Sequence, residues 1–127
     1  MIKKILIIDD DYQLSEEIAE ILEEEGFEVG LAFNGLGGEK LLEKNNYDLL
    51  LLDLNMPGLT GFDVLRNINK KNIKLNVFVI TGWSFNKCQP MGKKEIEEEE
   101  TLKLADKVIS KPFNIEELLQ MIKQLEN

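Results

Sequence analysis

The chain has 127 residues, a net charge of −9 and a single cysteine, Cys88. This length supports one ordinary domain with a real core. The acidity argues against direct nucleic acid binding, which needs clustered Lys and Arg. One cysteine excludes an internal disulfide and indicates a reducing compartment, and no apolar run approaches a membrane span. We therefore expect a cytoplasmic protein that binds neither nucleic acid nor membrane.

The first strand and helix are predicted near the N-terminus. "IKKILII" (2–8) predicts a strand that ends at three consecutive aspartates. Apolar residues then recur at helical spacing: Leu14, Ile18, Ile21 and Leu22. Gly26 is placed to end this helix, because glycine favours the position just past a helix C-terminus.

Two further strands are predicted before residue 54. "FEVGLAF" (27–33) predicts the second strand, and "NGLGGEKLLEKNN" (34–46) predicts a glycine-softened turn leading into a short helix. "YDLLLLD" (47–53) predicts the third strand. Since it lacks polar alternation, both of its faces should be covered.

The second half continues the alternation of helix and strand. "GFDVLRNINK" (61–70) predicts a helix and "LNVFVIT" (75–81) a fourth strand. Residues 82–105 predict a loop and then a helix-prone stretch. "KVIS" (107–110) predicts a fifth strand, and Asn114 is placed to cap a final helix.

Strict alternation of strands and helices predicts an α/β fold, with a doubly wound five-stranded parallel sheet and helices on both faces. Ligands of such sheets bind at the carboxyl ends of the strands, where the strand order reverses. Five polar residues fall at predicted strand ends: Asp9, Asp10, Asp53, Thr81 and Lys111. If strands 1 and 3 are neighbours, three carboxylates meet in one crevice.

Three adjacent carboxylates repel one another, which raises a pKa or recruits a cation. An oxygen-only site suits Mg²⁺. A carboxylate can also act as a nucleophile and become an aspartyl phosphate, stabilised by a lysine and a hydroxyl. We interpret the cluster as a phosphoryl-acceptor site, with Asp53 at its centre, Mg²⁺ held by Asp9 and Asp10, and Thr81 and Lys111 opposite.

Four motifs resemble the receiver domain of two-component response regulators, including the chemotaxis regulators. They are "ILIIDDD" (5–11), "LLLLDLNMPGLTG" (49–61), "VFVITG" (77–82) and "VISKPF" (108–113). They come in the family's order and cover essentially the whole chain, so residues 1–127 are expected to form one receiver domain. The resemblance implies the flavodoxin-like strand order 2-1-3-4-5.

The resemblance also implies the acceptor and its metal. Asp53 would take a phosphoryl group from a histidine kinase, or from a small phosphodonor, in a Mg²⁺-dependent reaction. Asp10 would bind Mg²⁺ directly and Asp9 through water, with Asp53 and the main-chain carbonyl of Asn55 as further ligands. The domain would catalyse only its own phosphorylation and slow dephosphorylation, so it is not expected to be a metabolic enzyme.

A switch is implied by the same resemblance. Thr81 would bond a phosphoryl oxygen and shift, and Lys111 would pair with the phosphoryl group. The switch would control a downstream protein target or a tethered output domain. The Lys111–Pro112 bond is a candidate cis peptide. Val108 stands where many receivers carry an aromatic residue, and it lacks the bulk for the usual aromatic readout.

Other interpretations remain open. Asp9, Asp10 or Asp11 could simply cap the first helix. A phosphorylation-independent interaction module would keep the same fold. A Mg²⁺-dependent phosphatase commonly carries an acid two residues after its nucleophile, and Asn55 cannot act as that acid.

The segment between Thr81 and Lys111 is longer than usual in this family. It is either a tolerated surface insertion or a reshaped partner surface. Trp83, near its start, either shields an acyl phosphate from water or packs into the neighbouring loop.

Overall fold

Alternating apolar and amphipathic segments form five strands and five helices in the part of the chain that the computed structural model describes, residues 2–82 and 93–125. The strands are β1 (Lys4–Ile8), β2 (Glu28–Ala32), β3 (Leu49–Asp53), β4 (Asn76–Thr81) and β5 (Lys107–Ser110). The helices are α1 (Tyr12–Glu24), α2 (Gly35–Lys44), α3 (Gly61–Lys70), α4 (Lys93–Leu102) and α5 (Ile115–Gln124).

The five strands form one parallel sheet in the order β2-β1-β3-β4-β5. The predicted fold and strand order are therefore confirmed. Because β1 and β3 are neighbours, the strand order reverses between them, and the carboxyl ends of the two strands lie side by side. Ile8 pairs with Leu52 in this register.

The central strand β3 is buried along its whole length, as its unbroken apolar sequence predicted. Leu50 and Leu52 belong to a cluster with apolar residues of α2, α3 and α4. Leu49 and Leu51 belong to a second cluster with residues of α1 and α5. Each fully buried leucine contributes about 1.5–3 kcal/mol of burial free energy, so β3 is a rigid support for the residue at its end.

The two ends of α1 are fixed by Asp11 and Gly26. Asp11 is the N-cap, and its carboxylate accepts the N–H of Leu14 at 3.0 Å. Gly26 follows the other end with φ of +96°, a left-handed conformation that glycine adopts without strain. Asp11 therefore fills the capping position that Asp9 or Asp10 could have taken, and the Asp9 carboxylate accepts the N–H of Asp11 at 3.0 Å.

The glycine-rich segment differs from the prediction. The sequence predicted a turn before the helix, but α2 begins at Gly35, directly after its N-cap Asn34. A Cβ atom at Gly35 would lie 2.5 Å from the carbonyl oxygen of Leu59, and one at Gly38 would collide with the side chain of Ile8. These glycines therefore permit close packing of a helix and do not mark a turn.

The helix-prone stretch after residue 82 forms α4, as predicted, and Asn114 caps α5. Residues 83–92 lie outside the described residues. The expectations for Trp83, Cys88 and the first half of the long segment concern that part of the chain. Among the described residues, none of the helices has the length and apolar character needed to cross a membrane.

Candidate functional site

The carboxyl edge of the sheet brings together the side chains that the sequence singled out. Asp53 is the last residue of β3 and Thr81 the last of β4, and both are buried. Asp9 follows β1 and its N–H donates to the carbonyl of Ala32 at 3.1 Å. The N–H of Lys111 donates to the carbonyl of Thr81 at 2.8 Å. These bonds continue the sheet by one residue, so the site stands on backbone that is already fixed.

Three carboxylates form the acidic part of the site. Asp9, Asp10 and Asp53 each offer an oxygen atom, and these atoms all lie within 4.8 Å of one another. Asp9 and Asp53 are buried, with Asp53 only 4% exposed, while Asp10 is exposed to solvent. An all-oxygen cluster that is open on one side fits a hard divalent cation such as Mg²⁺, which keeps several waters.

The electrostatics of Asp53 follow from this placement. Burial raises the pKa of Asp53 from 3.8 to about 6, and the negative charge of Asp9 acts in the same direction. Lys111 and the N–H of Asn55 oppose that rise in pKa, because both favour the ionised carboxylate. Asp53 therefore remains mainly ionised at neutral pH, although its charge is poorly solvated.

Lys111 supplies the positive charge of the site. Its Nζ lies 3.4 Å from Oδ2 of Asp9 and 3.9 Å from Oδ1 of Asp53. The peptide bond between Lys111 and Pro112 is cis, as the resemblance implied. One cation thus faces two buried carboxylates, in a position to meet a negatively charged group bound between them.

The loop after β3 folds back under the site. Leu54 and Met56 are buried, and the N–H of Asn55 donates to Oδ1 of Asp53 at 3.3 Å. Gly58 turns the chain with φ of +79°. The participation of the Asn55 carbonyl in metal binding stays a prediction.

Sequence reasoning missed Gly61 as a part of this arrangement. A Cβ atom at this first residue of α3 would collide with the carbonyl group of Asp53 and with the Leu54 backbone. The N–H of Gly61 donates to the carbonyl of Leu54 at 3.2 Å. The available signal was a glycine directly at the start of a predicted helix, where glycine is otherwise unfavourable.

Val108 lies on β5 with 48% of its surface exposed. It is adjacent to Val79 in the register of β4 and β5. The position that is aromatic in many receivers is therefore a small, half-exposed aliphatic side chain here.

The sheet order defines a doubly wound α/β domain, and its acidic edge is a candidate binding site at the topological switch point. A family model described as "Response regulator receiver domain" matches residues 5–123. The chain belongs to the response regulator receiver family, and the family resemblance inferred from the four motifs is confirmed.

Two curated relatives are transcriptional regulatory proteins. CusR of Escherichia coli K12 is 32% identical over 123 residues, which cover 96% of this chain and 50% of CusR. The CpxR homolog of Haemophilus influenzae is 36% identical over 124 residues, which cover 96% of this chain and 49% of that protein. The chain thus spans about half the length of these relatives.

Solved structures match over almost the whole chain. The response regulator TrrA from Thermotoga maritima, crystallised in complex with Mg²⁺-BeF, has a TM-score of 0.80 and 33% identity, covering 97% of this chain and 98% of its own. A CheY-like receiver domain protein from Methanospirillum hungatei has a TM-score of 0.82 and 29% identity, covering 98% of this chain and 94% of its own.

Proposed function

We propose that residues 1–127 act as a single phosphorylation-controlled switch, in which Asp53 accepts a phosphoryl group from the phosphohistidine of a histidine kinase. The observation that carries this proposal is the position of the Asp53 carboxylate. It is buried at the end of a rigid strand, beside the Asp9 and Asp10 carboxylates and 3.9 Å from the Lys111 ammonium. A fixed, poorly solvated carboxylate is a competent nucleophile.

In the transfer step, an oxygen of Asp53 attacks phosphorus and forms the O–P bond as the P–N bond to the donor imidazole breaks. The imidazole leaves with the bonding electron pair and takes a proton from solvent. Lys111 remains beside the phosphoryl oxygens and balances part of their charge. The hydroxyl of Thr81 bonds one of these oxygens.

Asp10 would hold Mg²⁺ directly and Asp9 through water, with Asp53 and the Asn55 carbonyl completing the protein ligands. The bound ion would neutralise charge that develops on the phosphoryl oxygens. Two observations support this metal: the all-oxygen cluster itself and the Mg²⁺-BeF complex of the relative TrrA. BeF is a recognised kind of phosphoryl stand-in, so that complex bears on both the metal and the phosphoryl group.

The consequence of phosphorylation is a change in partner binding, through the face that carries Thr81 and Lys111. CusR and the CpxR homolog are transcriptional regulatory proteins about twice as long as this chain. We therefore propose a tethered output domain or a separate protein target as the downstream partner. The net charge of −9 favours action through protein contacts over direct contact with nucleic acid.

The proposed acceptor is tested by intact-mass analysis after incubation with Mg²⁺ and acetyl phosphate. We expect one added phosphoryl group in the wild-type protein, and none in Asp53→Asn or in the presence of EDTA. An adduct that persists in Asp53→Asn would overturn the assignment of the acceptor.

The exposed Val108 favours one alternative, a phosphorylation-independent interaction module that keeps the receiver fold. That alternative predicts Mg²⁺ binding without any adduct from either acetyl phosphate or a phosphorylated kinase. An adduct on Asp53 excludes it.

A further inference from the structure

Helix α4 has little apolar attachment to the rest of the domain. Its sequence, KKEIEEEETL, contains only two apolar residues, Ile96 and Leu102. Ile96 is 47% exposed, which leaves Leu102 as the one apolar side chain of this helix in the core. The neighbouring helix α3 buries four large apolar side chains: Phe62, Val64, Leu65 and Ile68.

The charges of α4 also oppose helix formation. Lys93 stands at its N-terminus, and Glu97–Glu100 run from the middle of the helix into its last turn, which is the reverse of what the helix dipole favours. Glu97 and Glu100 stand three positions apart, a spacing at which like charges on a helix repel one another. Among the residues that the structure describes, no ion pair involves these four glutamates. α4 is therefore a helix of low intrinsic stability.

A polar contact ties the last turn of α4 to α3. Nε of Arg66 donates to Oγ1 of Thr101 at 3.2 Å, and that hydroxyl donates to the carbonyl of Glu97 at 2.8 Å. Thr101 is 7% exposed, so its hydroxyl is largely shielded from water. A shielded hydrogen bond of this kind is a substantial share of the attachment of so weakly packed a helix.

Arg66 is also linked, through a series of hydrogen bonds, to the loop that follows the proposed acceptor. Nη1 of Arg66 lies 3.3 Å from Oδ1 of Asp63, whose Oδ2 accepts the N–H of Thr60 at 3.1 Å. The next residue, Gly61, donates its N–H to the carbonyl of Leu54 at 3.2 Å. Leu54 directly follows the proposed acceptor, so hydrogen bonds and one short stretch of backbone connect the acceptor loop to α4.

We propose that the Arg66–Thr101 hydrogen bond is a latch that holds α4 in place while the acceptor site is empty of phosphoryl, and that occupation of the site releases the helix. The release of α4 on occupation of the site, called the trigger below, rests on the proposed function. If the Asn55 carbonyl moves to bind the metal, it would displace the adjacent Leu54. Leu54 accepts the N–H of Gly61, which is the first of the hydrogen bonds that lead to Arg66 and Thr101. Val108 is too small for an aromatic readout, and the latch supplies another route from the site to the surface.

The latch itself is tested without any ligand, by amide hydrogen exchange of residues 97–102. Thr101→Val removes the acceptor at nearly constant volume, and Arg66→Gln removes the donor. We expect exchange to be faster by about 2- to 10-fold in each variant, as the loss of one net hydrogen bond predicts. The double variant should exchange no faster than the single variants.

Lys71→Gln is the control, because it removes a polar contact at the C-cap of α3, the one between Lys71 and Glu43 of α2 at 3.1 Å. Exchange in α4 should not change in this variant. The latch would be refuted if Thr101→Val and Arg66→Gln exchanged at the wild-type rate, or if Lys71→Gln raised the exchange rate of α4 as much as they do.

The trigger is tested with Mg²⁺ and beryllium fluoride, whose binding is followed by fluorine NMR. Binding should speed exchange of residues 97–102 in the wild-type protein. By reciprocity, Thr101→Val should bind the analogue more tightly by the same 2- to 10-fold factor. Unchanged exchange on binding, or unchanged affinity in Thr101→Val, would refute the trigger. Failure of the wild-type protein to bind the analogue would instead refute the proposed function, and the trigger would fall with it. The hydrogen exchange of the ligand-free variants would still show whether the Arg66–Thr101 bond holds α4.

Discussion

Replacing Asp53 with asparagine should stabilise the metal-free protein, because it removes a charge that the fold holds unfavourably. The pKa of Asp53 is raised from 3.8 to about 6, chiefly by burial and then by Asp9. A difference of about 2 in pKa corresponds to about 3 kcal/mol, since one pKa unit equals about 1.4 kcal/mol. Asparagine keeps the shape of the side chain and an oxygen that can accept the N–H of Asn55.

The sign of the pH dependence follows from proton linkage. Between pH 3.8 and about 6 the folded state binds more protons at Asp53 than the unfolded state does. The contribution of this group to stability is therefore present below pH 3.8, falls as the pH rises, and is lost above about pH 6. Asp53→Asn should be more stable than the wild type by about 3 kcal/mol at pH 7.5, and by less than about 1 kcal/mol at pH 4.

Urea unfolding at the two pH values, with EDTA present, measures this difference. Asp48→Asn is the matched control, because the N–H groups of Lys3 and Lys4 donate to its carboxylate and lower its pKa. That variant should lose stability at pH 7.5 and keep most of that loss at pH 4, because the lowered pKa of Asp48 keeps its carboxylate ionised in the folded state there. Equal stability of Asp53→Asn and wild type at pH 7.5, or a gain that persists at pH 4, would refute the burial argument.

Three further predictions concern the site and its support. Lys111→Met should slow phosphorylation from acetyl phosphate by roughly 100-fold, as loss of one stabilising group at a developing charge typically does; a rate within about 3-fold of wild type, seen in the intact-mass time course, would contradict this role. Gly61→Ala should cost about 1–3 kcal/mol in urea unfolding and slow phosphorylation, because its Cβ would displace the carbonyl of Asp53. Gly58→Ala should also destabilise, through its φ of +79°, but its Cβ would meet no atom within 4 Å, so an equal loss of phosphorylation rate in both variants would argue against the displacement. Mg²⁺ at 100 times its dissociation constant should raise the free energy of unfolding by about 2.7 kcal/mol, and thermal scans should show this gain in the wild type and little of it in Asp10→Asn.

The sequence predicted which residues meet at this edge of the sheet, because their placement follows a simple geometric rule. The carboxyl ends of parallel strands meet at one edge, so Asp9, Asp53 and Thr81 could be placed together from strand prediction alone. Asp10 followed from its position next to Asp9, and Lys111 from its position just past the fifth strand. No knowledge of side-chain packing was needed for any of these placements.

The features that the sequence did not predict all depend on contacts between distant elements. Gly35 looked like a turn residue, and only its approach to the carbonyl of Leu59 explains why it begins a helix. Gly61 carries no chemistry, and its closeness to the Asp53 carbonyl exists only in the folded loop. The contact between Arg66 and Thr101 joins residues 35 positions apart. Local propensity and spacing hold no information about such contacts.

Asp53 is the residue proposed to carry the phosphoryl group, and its modification can be located directly. Borohydride reduces an aspartyl phosphate to homoserine, so reduction after treatment with Mg²⁺ and acetyl phosphate marks the acceptor in the chain. Peptide mass mapping should then find homoserine at position 53, dependent on Mg²⁺ and absent without the phosphodonor. Homoserine at Asp9, Asp10 or any other aspartate, with position 53 unmodified, would contradict the account.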